Sequence, residues 1–462
     1  EAQDYKYIGT RSIRPDGFDK VTGRANYGAD MSLPGMLWGR TLRSPHAHAI
    51  IKNVDTSAAE ALDGVFAIAS HADLPAVANI SIEAGEGSSN LVDLGQNIFA
   101  KDKVLYHGHA ILAVAARTEA IADQAIDLIK IEYEVLSPVM DIHDAIADGA
   151  AVLHDNMFTE GLPEKPTTPS NIATRHEFKL GDVEAGFAAA DVVVEREFYT
   201  PTVHQGYIEP HACLGRYDEN GQSMIWCCTQ GHFDVRASTA ALLKMNLSQL
   251  KVIASEIGGG FGGKTTVYHE PVSLILSRKS GRPVKMVMDR DEVFKASGPG
   301  SASRLWVKVG AKNDGTITAM QGRFHYEAGA FKGSPVMMGC MTAFTPYNLE
   351  NVFVEGFDVV VNKPKVAAYR APGAPQAEFA AEMVVNEIAA KIGMDPIELR
   401  LKNAAQEGTQ TIYGPKLKRV GLVECLEAIR DSDHYKSALK ENQGRVWLLV
   451  SGSMSVANPA LT

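Results

Sequence analysis

The chain has 462 residues, 45% hydrophobic and 22% charged, a composition that excludes a disordered or fibrous protein. Forty-five Lys plus Arg against 55 Asp plus Glu give a formal net charge of −10, so the basic footprint of a nucleic-acid-binding protein is absent. No apolar run approaches the roughly 18 residues that span a bilayer.

At about 150 residues per domain, the length predicts two or three domains. The opening EAQDYKYIGT has neither the basic nor the apolar region of a signal peptide. It also lacks an initiator Met, which leaves room for residues before Glu1. The five cysteines, Cys213, Cys227, Cys228, Cys340 and Cys425, include no CxxC pair. They argue against iron–sulfur or structural zinc ligation in this chain and fit reduced thiols in a cytoplasmic protein.

In chain order, residues 1–18 read as an irregular arm and 19–136 as a small α/β unit. Imperfect alternation over 37–42 and 48–54 predicts strands, 64–70 is a short buried run, and 104–116 is strand-like but broken at Gly108. Ile121, Ala122, Ala125, Ile126 and Ile129 predict a helix over 118–129, and 130–136 alternates as a strand. A linker follows over 137–171, with Pro163, Pro166 and Pro169 in its last part. Beyond it, 191–199 and 250–257 read as strands and 266–276 as a helix. The clearest helix covers 376–392, with Phe379, Ala380, Met383, Val384, Ile388 and Ile392 along one face. Gly393 suits its left-handed end, and Asp395 caps a second helix opened by Pro396 and Glu398. This pair reads as scaffold.

The strongest local signal is GGGFGGKT at 258–265, five glycines in six positions. A backbone so free of side chains can turn sharply and bring N–H groups against an anion or oxo group. From Gly258 to Thr265 it also matches the pattern of a phosphate-binding P-loop, so a nucleotide-binding protein is the alternative reading. Against it stand Phe261 in mid-loop and Asp289, which follows too closely for the usual metal-binding strand. His204, His211 and His269 have no metal-ligand spacing and read as ordinary polar or core residues.

GGGFGGK resembles the loop that cradles molybdopterin in the large subunit of molybdenum hydroxylases, the xanthine dehydrogenase, aldehyde oxidase and carbon monoxide dehydrogenase family. Other strings resemble that family's segments in the same order: DKVTGRANYG at 19–28, RSPH at 43–46, YHGH at 106–109 and EPH at 209–211. TQ at 229–230, AYRAPGAPQ at 368–376 and DPIELRLKN at 395–403 complete the series. The resemblance covers nearly all of 19–445. It implies an α/β (α+β) fold, with an α/β hammerhead domain at 19–136 and the first part of a molybdopterin-binding domain at 172–445. The implied cofactor is molybdenum–molybdopterin in its cytosine dinucleotide form, its metal held by the pterin rather than by side chains. Backbone N–H groups of Gly260, Phe261, Gly262 and Gly263 would face it, the Gln230 amide would donate to an oxo ligand, and Arg370 would lie at the cofactor or substrate end. The implied activity is oxidative hydroxylation, with water, of an aldehyde, N-heterocycle or aromatic substrate. Electrons would pass to a small subunit carrying 2Fe–2S clusters and a medium subunit carrying FAD.

Departures from the family narrow the substrate. Thr265 stands where xanthine-oxidising members carry a glutamate, and Pro372 where they carry a phenylalanine. Ala371 replaces the cysteine of the carbon monoxide enzymes, which argues against a copper–molybdenum site. The family's general-base glutamate belongs to the half of the subunit beyond this match, so no glutamate here takes that role and the chain alone is expected to be inactive. The stretch VWLLVSGSMSVANPALT at 446–462 departs from the family. Codons chosen for it and read two bases on give a string like the family's next cofactor-contacting segment. It reads as the out-of-frame tail of a C-terminally truncated chain.

Overall fold

The structure, a computed structural model, describes residues 5–84 and 87–437. The tail at 446–462 lies outside the described residues.

A seven-stranded mixed sheet runs in the order Leu250–Ala254, Ser223–Cys227, Ala212–Arg216, Val284–Val287, Leu37–Arg43, Ala110–Ala116 and Val65–Ser70. All seven residues of Ala110–Ala116 are buried, which is why that strand is an unbroken run of small and branched apolar residues. Thr118 caps the following helix Glu119–Leu128, accepting from the Ile121 N–H at 3.3 Å. The predicted break at Gly108 is a left-handed turn, φ 97°, where a Cβ would lie 2.5 Å from the Lys295 carbonyl. Ala49–Asp55 leaves this sheet and pairs instead with Lys103–Val104 and Lys130–Val135. The unit 19–136 is therefore not closed on itself. Leu37–Arg43 lies parallel to Val284–Val287, joining strands from opposite sides of the linker in one sheet.

The second sheet has the order Val192–Thr200, Ser303–Ala311, Ile317–Gly329, Val352–Val360 and Ile172–Leu180. One face packs on the helix Ala374–Ile392. That helix buries Ala377, Ala380, Ala381, Val384, Val385, Ile388 and Ala389, and Gly393, φ 68°, ends it as expected. Of the residues on the predicted face, Phe379 and Met383 are exposed, with Phe379 edge-on to Phe198. Small residues fill the centre because the helix lies close on the sheet. Asp395 caps Pro396–Asn403 by accepting from the Ile397 and Glu398 N–H groups.

The expected helix over 266–276 begins later, at Glu270, and runs to Ser280. Turns occupy 261–264, and Pro271 sits in the helix's first turn. Within 137–171, Val139 and Leu153 are buried, and Asn171 ties the Leu153 N–H to the Ala145 and Ala151 carbonyls. The proline-rich part near 160–169 is largely exposed.

Candidate functional site

Three loop segments converge where strands of both sheets end. Gln230 follows Ser223–Cys227, the glycine loop follows its parallel neighbour Leu250–Ala254, and 366–371 follows Val352–Val360. Gly259, Phe261 and Gly262 all have positive φ, 99°, 53° and 100°. The Gly263 N–H closes a tight turn on the Gly260 carbonyl at 2.8 Å. Gln230 is stitched to this loop. Its Oε1 accepts from the Gly262 N–H at 2.9 Å and the Lys264 N–H at 3.2 Å, and its backbone N–H donates to the Lys264 carbonyl. With the oxygen held by two donors, the Nε2 amide is left to donate outward, and it meets no acceptor among the described residues.

Arg370 joins the same cluster through its backbone, whose N–H donates to the Phe261 carbonyl at 2.9 Å. Its side chain is exposed and makes no ion pair among the described residues. The structure thus brings Gln230, Gly260, Phe261, Gly262, Gly263 and Arg370 together, but divides their parts differently from the sequence expectation. The N–H groups of Gly262 and Gly263 are engaged within the protein. Those of Gly259, Gly260 and Phe261 donate to no described residue. The glycines serve close packing instead. A Cβ at Gly260 would strike the Gln230 amide, one at Gly262 would lie 2.5 Å from the Ala368 carbonyl, and one at Gly263 would lie 2.9 Å from the Tyr207 ring.

The P-loop reading fails on Lys264. Its side chain is fully buried, and its Nζ sits 2.7 Å from Glu209 Oε2 rather than in reach of a phosphate. The next helix also starts only at Glu270, so no helix N-terminus supports the loop. Beneath the loop lie the three histidines. The Tyr207 hydroxyl bonds His211 Nε2 at 2.7 Å and Ser297 Oγ at 3.0 Å, and His204 Nε2 reaches the same serine at 2.9 Å. Burial pushes His211 far below the ordinary histidine range, His269 to about 3, and His204, further lowered by Arg290, to about 4. All three are neutral at pH 7.

The groups here without a partner among the described residues are donors: the Gly259, Gly260 and Phe261 N–H groups, the Gln230 Nε2 and the Arg370 guanidinium. The nearby Glu209 carboxylate is taken up by Lys264, Gly258 and Gly28. Such a set fits the oxo and phosphate groups of a molybdopterin. Sequence reasoning missed Gln205, whose buried Nε2 donates to the Gly298 and Ala368 carbonyls at 3.0 and 2.9 Å. It also left Glu209 without a role. The available signal was Lys264 itself, since a lysine inside a run of glycines needs a countercharge if it is buried.

Comparison with known proteins agrees with this architecture. Residues 22–137 match the aldehyde oxidase and xanthine dehydrogenase a/b hammerhead domain, and 164–404 the molybdopterin cofactor-binding domain. The nicotinate dehydrogenase large molybdopterin subunit of Eubacterium barkeri is 32% identical over 434 residues, 93% of this chain and 97% of that one. The nicotine 6-hydroxylase large subunit of Paenarthrobacter nicotinovorans is 28% identical over 443 residues, 94% of this chain but only 53% of the relative. Among solved structures, the aldehyde oxidoreductase of Desulfovibrio gigas superposes with a TM-score of 0.81 at 29% identity, covering 90% of this chain and 45% of that one. Quinoline 2-oxidoreductase of Pseudomonas putida 86 gives a TM-score of 0.81 at 27% identity, over 93% and 54%. The chain thus spans nearly all of one relative and about half the length of the others. Two domain matches in sequence order, a shared fold and a loop lined by hydrogen-bond donors agree: this chain belongs to the xanthine dehydrogenase and aldehyde oxidase family of molybdenum hydroxylase large subunits.

Proposed function

We propose that the chain carries the molybdopterin-binding loop of a molybdenum hydroxylase that oxidises an aldehyde, N-heterocycle or aromatic substrate. The observation that carries this reading is the set of donors without a protein acceptor among the described residues, Gly259, Gly260, Phe261 and Gln230, beside the exposed Arg370. When bound, molybdenum–molybdopterin, in its cytosine dinucleotide form, supplies the two-electron oxidation. Backbone N–H groups of the loop hold its anionic part, the Gln230 amide donates without adding charge, and Arg370 attracts anionic groups at the rim. Water supplies the oxygen of the new hydroxyl, and the electrons leave through a 2Fe–2S subunit and an FAD subunit.

Thr265 spends its hydroxyl on the Gly262 carbonyl at 2.9 Å, which counts against a purine-recognising acid there. A polypeptide equivalent to the part of the longer relatives that this chain does not match is proposed to cover the loop. Val203, Ile208, Phe261, Phe294 and Tyr369, exposed around the loop, are the apolar rim it would bury. Purification of the tagged chain from its source organism, with molybdenum analysis and a dye-coupled screen of aldehydes and N-heterocycles, tests the reading. Stoichiometric molybdenum with turnover is expected. A folded complex without molybdenum overturns it.

A further inference from the structure

We propose that Glu209 is a positioning residue of the glycine loop, holding both ends of that loop in register with the N-terminal segment 19–28. The proposal rests on the molybdopterin reading above. One carboxylate serves three donors. Its Oε2 accepts from the Gly258 N–H and from Lys264 Nζ, both at 2.7 Å, and its Oε1 accepts from the Gly28 N–H at 3.2 Å. Gly258 opens the glycine run and Lys264 closes it. The backbone repeats the tie, since the Glu209 N–H donates to the Gly258 carbonyl at 3.1 Å. A Cβ on Gly258 would lie 2.6 Å from that of Glu209, so the two chains meet this closely only because position 258 is glycine.

The same N-terminal segment grips the incoming backbone at a second point. Lys20 pairs with Glu256, the Glu256 N–H donates to the Asn26 carbonyl at 3.0 Å, and Tyr27 forms a parallel bridge with Glu256. On the other side, the Lys264 ammonium lies 4.9 Å over the Tyr207 ring, which Gly263 approaches, while Gly259 approaches the Tyr207 Cβ.

Burial shows what the ion pair is for. The Lys264 side chain is 0% exposed and that of Glu209 9%. A buried ion pair is commonly no more stabilising than an apolar pair of the same shape, whereas removal of one partner strands a charge. Its distinct contribution here is placement. It fixes where the loop's outward N–H groups and Gln230 stand relative to the N-terminal segment.

The test uses the full chain with the polypeptides that co-purify with it, as wild type, Glu209→Gln, Glu209→Gln with Lys264→Met, and Glu209→Asp. The readouts are Tm, amide exchange of peptides covering 256–266 and 26–30, and molybdenum per chain. Glu209→Gln is expected to lower Tm, because the Lys264 charge loses its partner. The double variant removes both charges and should recover Tm. Gly28 and Gly258 bind different oxygens of Glu209, and the single amide oxygen can take only one of those two places, so exchange at 256–266 should stay raised about tenfold, as loss of a charge-assisted hydrogen bond implies. Its molybdenum content should stay several-fold below wild type. Glu209→Asp keeps the charge but shortens the reach, and should give the same raised exchange at near wild-type Tm. Wild-type exchange and molybdenum in the double variant, or in Glu209→Asp if the double variant does not fold, overturn the proposal. A wild type without molybdenum instead overturns the molybdopterin reading, while the exchange comparison still decides the role of Glu209.

Discussion

Gln230 carries two tasks on one amide, and substitutions can separate them. Its oxygen holds the Gly262 and Lys264 N–H groups, while its nitrogen faces outward. Gln230→Ala therefore does more than remove a donor to a ligand. It frees two loop N–H groups, with an expected cost of about 1 kcal/mol in urea denaturation. Gln230→Glu keeps the acceptor for both loop amides but turns an oxygen toward the donor-lined rim. It should leave Tm within a few degrees of wild type and reduce molybdenum per chain several-fold, because a carboxylate repels the anionic group that an amide attracts. Wild-type metal content in a folded Gln230→Glu protein would count against the donor role. The expectation for Gln230 came from the family resemblance of the whole motif series, and the division of labour on its amide was not legible in it. It depends on the Gly262 and Lys264 amides, which only the folded loop brings to that oxygen.

At the scale of elements, the helix pair ending at Asn403 was the most legible part, because its marks are local. Gly393, Asp395 and Pro396 act on their own backbone neighbours, so their meaning survives without tertiary context. Long-range contacts were not legible. Phe379 satisfied the helical period, yet Ala377, Ala380 and Ala381 take the sheet-facing centre, where there is no room for a ring. Nor did any sequence pattern show how the pair is locked. Arg400, 1% exposed, reaches Glu382 Oε2 through its Nε at 2.8 Å, Asn386 Oδ1 at 2.9 Å and the Pro396 carbonyl at 3.0 Å, while the Tyr347 hydroxyl donates to the other Glu382 oxygen at 2.6 Å. Arg400→Met should cost about 3–5 kcal/mol, because it leaves Glu382 charged and buried. Adding Glu382→Leu should recover a large part of that loss in the same denaturation experiment. Failure of the double variant to recover would show that Arg400 acts mainly through Asn386 and the Pro396 carbonyl.

At the scale of the molecule, buried histidines set the acid response. Burial holds His109 at about 4, His269 at about 3 and His325 at about 4, and His204 is also at about 4. In the unfolded chain each titrates near 6.5. Between those values the unfolded state binds protons that the folded state refuses, so stability is complete above about pH 6.5 and is lost as pH falls toward 4. Each such histidine contributes a slope of about 1.4 kcal/mol per pH unit. Tm should therefore fall steadily between pH 6.5 and 5, before most carboxylates titrate. A flat profile over that interval would show that these rings are protonated in the folded protein.

The parallel pairing of Leu37–Arg43 with Val284–Val287 has a consequence for synthesis as well as for architecture. During translation, the strand that adjoins Leu37 is not yet made when the first 136 residues have left the ribosome. The early strands must wait, one edge open, through the whole intervening stretch. Contacts so distant in sequence delay productive collapse and prolong the life of an unpaired apolar edge. The nascent chain would thus depend on chaperone shelter until residue 287 emerges, whatever follows it downstream.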